Sequence, residues 1–134
     1  MQHDAFIGQV QARARLSSRG AAEEATRATL ETLAERVGSG LGYDLAGQLP
    51  REIGESLRRV ADERGQGNDA ESFDQREFLS RVAQRSHSDP PEAARNAHAV
   101  FETLDDATTG GVMDKVRHAL PEDLREFSLE GGQG

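Results

Sequence analysis

The chain has 134 residues and suits one domain. It is 35% hydrophobic and 4% aromatic, with no Trp. It has no Cys, which excludes disulfides and thiolate metal sites and fits a reducing cytoplasm. Twenty-four acidic residues against sixteen basic ones give a net charge of −8, which opposes loose association with nucleic acid or anionic lipid. No apolar run approaches the roughly 18 residues of a membrane span, and the N-terminus lacks the regions of a signal peptide.

Phe6, Ile7, Val10 and Ala14 lie on one face of a first helix, which Ser17, Ser18 and Gly20 interrupt. A second helix is expected over about 21–37, with Ala22, Ala25, Thr29, Leu33 and Val37 as its stripe. Gly38, Gly40 and Gly42 suit a helix stop and a turn, with a short helix over about 43–49. Pro50 fits the first turn of a fourth helix carrying Ile53, Leu57 and Val60. The polar, glycine-rich stretch 62–71 reads as a linker.

The next helix has a capping-box pattern, Asp74 with Glu77, and a hydrophobic staple, Phe73 with Phe78. Its stripe continues through Leu79 and Val82. Asp89-Pro90-Pro91-Glu92 opens another helix by the same logic, with Ala93, Ala97, Val100, Phe101 and Leu104 as its face. Gly110 and Gly111 mark a turn before a short helix with Val112, Met113 and Val116. Leu120-Pro121 begins the last helix, which carries Leu124 and Phe127, and 128–134 reads as a disordered tail.

The pattern says one thing twice. Phe6-Ile7-x-x-Val10 returns as Phe78-Leu79-x-x-Val82. Leu30-Glu31-Thr32-Leu33 and Leu49-Pro50 return as Phe101-Glu102-Thr103-Leu104 and Leu120-Pro121. The offset is constant along the chain apart from a one-residue change after the first helix of each copy. The expectation is an all-α domain over 3–127, about eight helices in two pseudo-equivalent repeats, 3–61 and 72–127. These residues resemble the prokaryotic family known as domain of unknown function 2267, from about Phe6 to Phe127. Gln2 and Ala5 depart from Asp74 and Glu77, which weakens the first cap. The resemblance implies no activity, cofactor or catalytic residue.

Candidate chemistry is sparse. The glycine run follows a helix, whereas a phosphate loop follows a strand. His98 with Glu102, and Asp114 with His118, have the four-residue spacing of a metal pair, but Arg27 and Gly47 stand at their first-copy positions. In 105–116 the calcium-loop pattern fails at Ala107 and Val116. No Ser sits in a strand-to-helix elbow. Arg13 and Glu31 recur as Arg85 and Glu102, so one structural Arg–Glu pair per copy is expected between the first and second helices.

No catalytic, cofactor or metal residue is therefore assigned. The expected function is a non-catalytic interaction or scaffold module that binds a protein partner or self-associates. A small-ligand or metal-dependent enzyme and a helix-turn-helix regulator are the alternatives.

Overall fold

The computed structural model describes residues 1–64 and 70–130. Eight helices, and no strand among the described residues, make an all-α domain: α1 (His3–Ala14), α2 (Arg19–Val37), α3 (Ser39–Ala46), α4 (Arg51–Arg64), α5 (Gln75–Ser86), α6 (Pro90–Ala107), α7 (Val112–His118) and α8 (Glu122–Glu130). No described helix is long and apolar enough to cross a membrane.

Helix starts follow their caps. Asp89 and Glu92 form a complete capping box at α6. Asp74 accepts from the Glu77 backbone N–H, but the Glu77 carboxylate turns instead to Arg81, so only half of that box forms. At α1 the capping position is Gln2, whose side chain caps nothing. Phe73 and Phe78 make the staple, with ring centroids 6.4 Å apart. Arg15 and His87 close α1 and α5 in the left-handed conformation, at φ 57° and 54°. The one-residue change of offset falls just after them, before the caps Ser18 and Asp89.

Three boundaries differ from expectation. Gly38, at φ 90°, makes the turn alone. Gly40 and Gly42 therefore lie inside α3, which begins at Ser39 rather than near 43. α4 runs to Arg64, past the expected linker start, and Glu71 donates its backbone N–H to the Glu35 carbonyl at 2.9 Å. The rest of the expected linker, 65–69, lies outside the described residues. α8 continues to Glu130, and Ser128, assigned to the tail, is buried. Residues 131–134 also lie outside the description.

α2 and α6 touch each other at the centre. α1 packs against α6 as well as its neighbour α2, and α5 packs against α2 as well as α6. α3 and α4 cover α2, α8 packs on α6, and α7 packs against α3 and α8. One continuous core results, and it takes in most of the expected helix stripes, including Phe6, Val10, Leu33 and Ile53 with Phe78, Val100, Phe101 and Leu124, while Leu79 only packs against its edge.

α3 and α4 meet closely at Gly54, where an added Cβ would stand 2.9 Å from the Ala46 carbonyl oxygen. Gly54→Ala should lower stability by roughly 1–3 kcal/mol, because this clash is with backbone. Gly8, mid-helix with nothing within 4 Å of an added Cβ, should give the opposite sign, about 0.5–1 kcal/mol of gain for Gly8→Ala. Urea unfolding of the two variants checks both signs.

Candidate interaction surface

The expected Arg–Glu pairs do not form within each copy; each Arg crosses to the other copy. Arg13 on α1 donates to Thr103 Oγ1 at 2.9 Å and pairs with Asp106, both on α6. Arg85 on α5 donates to Thr32 Oγ1 at 2.7 Å and to Glu35 at 2.8 and 2.6 Å, both on α2. Thr32 and Thr103 are equivalent positions of the two copies, as are Glu35 and Asp106, so the two crossings are reciprocal. The physical reason is the packing of α1 on α6 and α5 on α2, which carries each guanidinium over the other copy's helix. Glu31 pairs instead with Arg59 at 2.8 Å, and Arg85 Nε lies 3.6 Å from it. Glu102 makes no ion pair among the described residues.

The α2–α5 crossing is the more developed of the two. Arg81 reaches Glu35, Glu71 and Glu77 at 2.9–3.1 Å and lies 4.0 Å over the Phe73 ring, where cation–π attraction adds to the ion pairs. Burial alone would raise the Glu35 pKa, but hydrogen bonds and charge from Arg85 and Arg81 outweigh it and hold the carboxyl below its ordinary value. The hydrogen bond to Glu35 raises the Arg85 guanidinium in turn, against its burial. These groups are permanently charged near neutral pH and saturate one another, which suits clamping rather than proton transfer.

One buried polar group was not evident in the sequence. Arg117 is buried, makes two 2.8 Å bonds to Asp105 and donates to Ser128 Oγ at 2.9 Å. The first-copy equivalents of Asp105, Arg117 and Ser128 are Ala34, Ala46 and Leu57, all buried. An apolar contact in one copy is thus a polar clamp in the other. Asp105→Ala should cost about 1–2 kcal/mol, since it strands a buried guanidinium but Asp105 itself is 44% exposed. Adding Arg117→Met to that variant should recover most of the loss, as seen in denaturant midpoints.

The histidine pairs gather no ligand set. His98 Nε2 bonds the Phe127 carbonyl at 2.7 Å and its ring packs tilted against Phe127, while His118 Nδ1 bonds the Asp114 backbone oxygen. No group of three or more metal-ligating side chains occurs among the described residues. A mixed groove of about 420 Å³ between α1, α2 and α4 is lined by Ile7 and Ile53 and by charged groups, among them Glu24 and Arg27, which pair at 3.7 Å.

A second groove is apolar in character. It measures about 480 Å³ and runs beside α5 to the start of α6, lined by Leu79, Ala83 and Pro90 with Arg76, Ser80 and Gln84. The first copy differs at the corresponding positions. Asp4 and Arg19, which stand at the positions of Arg76 and Pro90, form an ion pair, and half-buried Leu16 packs on the core. Ile7, at the position of Leu79, is buried, whereas Leu79 is partly exposed. The two copies therefore present different surfaces on this helix, and the second exposes more of its apolar side chain at position 79.

A family model described as "Uncharacterized conserved protein (DUF2267)" matches residues 3–127. No curated protein matches the chain.

Proposed function

We propose that this chain, which belongs to the DUF2267 family of uncharacterized conserved proteins, is a non-catalytic helical interaction module whose docking face is the groove beside α5. The observation that carries this reading is the difference between the copies: Leu79, Ala83 and Pro90 line an open apolar face, whereas Ile7, Gln11 and Arg19 stand at these positions in the first copy, Ile7 buried and Arg19 paired with Asp4. Apolar helix faces of this kind are the surfaces that amphipathic helices recognise. The clamped frame beneath it supports the reading, because a rigid face loses little entropy on binding. A cytoplasmic setting fits the absence of Cys.

The missing Cys also makes the test clean. Gln84→Cys places a unique thiol in the groove, and Asp44→Cys places one on exposed α3. Each is labelled with a benzophenone maleimide and irradiated in an extract of the cells that make the protein. The reading expects a discrete cross-linked product from position 84 and none from 44. No product at 84, or the same products at both positions, would contradict it.

A further inference from the structure

We infer that the groove between α1, α2 and α4 binds a small organic cation, an ammonium group on a short arm from a ring-sized apolar body. This site lies apart from the α5 face and does not rest on the reading of that face.

The space has a defined origin. By the repeat, Arg27, Leu30 and Ser56 stand at the positions of His98, Phe101 and Phe127. In the second copy the Phe127 ring is buried, lies against His98 with centroids 4.3 Å apart, and meets Phe101 edge-on. In the first copy the small Ser56 side chain stands at that position and lines the groove of about 420 Å³. Buried Ile7 and Ile53 give the groove apolar walls. The group missing from the first copy is one aromatic ring, which sets the size of the apolar body.

Ser56 also supplies an unpartnered hydroxyl. It is 8% exposed, yet makes no hydrogen bond among the described residues. Thr26, Thr32, Ser86 and Thr103 are buried on helices too, and each bonds the carbonyl four residues back. Ser56 does not take that partner. A buried hydroxyl left unbonded is unfavourable, and an ammonium N–H in the groove would bond its oxygen.

Charge selects the cation. Glu23, Glu24, Glu52 and Glu55 line the groove against Arg27 and Arg59. Both guanidinium groups are already engaged. Arg59 donates to Glu31 at 2.8 Å, and Arg27 lies 3.7 Å from Glu24 and 3.9 Å from Glu31. His3, at the edge, lies 3.5 Å from Asp4 and 3.9 Å from Glu23. Glu52 and Glu55 make no ion pair or hydrogen bond among the described residues. They stand one turn apart on α4, and Glu52 shares a helix face with Ser56 four residues on. An ammonium group placed there meets two unmatched carboxylates and a free hydroxyl, whereas an anion would be repelled.

The test uses the full chain, isotope-labelled and titrated at low salt with 2-phenylethylammonium while amide resonances are followed. Saturable shifts are expected at residues 52–59 of α4 and 23–27 of α2, with a dissociation constant of about 1 mM or tighter. Phenylacetate, the same ring with the opposite charge, should not bind. Ser56→Phe places in the first copy the ring that the second already has, and should abolish binding with the melting temperature held or raised. Glu52→Gln combined with Glu55→Gln should weaken binding roughly fivefold. Both carboxylates are exposed, so that double variant keeps its fold and decides the matter if Ser56→Phe does not fold. No saturable shift with 2-phenylethylammonium, equal binding of phenylacetate, or unchanged affinity in the double variant or in folded Ser56→Phe would overturn the inference.

Discussion

Phe101→Ala is expected to lower the unfolding free energy by about 3–5 kcal/mol, the range for removing a fully buried aromatic side chain. Phe101 has no exposed surface and stands between Phe78 and Phe127, with ring centroids 6.1 and 6.4 Å away, the latter edge-on. It therefore joins α5, α6 and α8 at one point. Truncation removes the transfer energy of the ring and both aromatic contacts, and leaves a void walled by helices held from opposite sides. Collapse into that void would pull α5 off α2 and stretch the Arg85 clasp, so relaxation should be small and the cost near the upper end. Phe101→Leu should be milder, because the equivalent position of the first copy is Leu30, also fully buried. Urea denaturation measures both, and a Phe101→Ala midpoint equal to wild type would contradict the aromatic core.

Glu35→Met should cost roughly 3 kcal/mol, as expected when one partner of a largely buried pair is removed. The Glu35 side chain is only 15% exposed, and both Arg81 and Arg85 depend on it. Its loss leaves two desolvated guanidinium groups, with Glu71, Glu77 and Glu31 as partial substitutes. A pH signature accompanies the loss. The folded pKa of Glu35 lies below its unfolded value. Its contribution is therefore fully present above the unfolded pKa of about 4.3, and is lost as pH falls through the folded value. The stability of Glu35→Met should fall less steeply than wild type through that acid window. Parallel acid slopes would place the carboxylate in free solvent.

The apolar stripes and helix starts were legible in the sequence because they are local. Phe78 and Val82 sit four residues apart, and Asp89 with Glu92 spells its own cap. The partners of Arg13 and Arg85 were not legible in this way. Helical spacing places each Arg on a face, but does not say whether two copies pack side by side or interleave. The signal for interleaving lay one turn beyond Glu31 and Glu102, in the recurrence of Thr32 with Glu35 as Thr103 with Asp106. Arg117 was hidden for a different reason. It lies in the basic last turn of a seven-residue helix, and its burial depends on Asp105 and Ser128 from two other helices. The α5 groove was half visible. Leu79 reads as core by analogy with Ile7 but is only partly buried, and the positions of the Asp4–Arg19 pair hold Arg76 and Pro90 here.

The reciprocal crossing of Arg13 and Arg85 ties the two copies together beside their shared core, and a double-mutant cycle tests it most directly. Arg85→Met, Glu35→Met and the double variant are unfolded in urea beside the wild type. The crossing predicts a single cooperative transition in all four, with the double variant about 2 kcal/mol more stable than the summed single losses would give. Additive losses, or a transition that splits into two steps in the wild type, would show that the halves stand independently and that the crossed pairs do not hold them together.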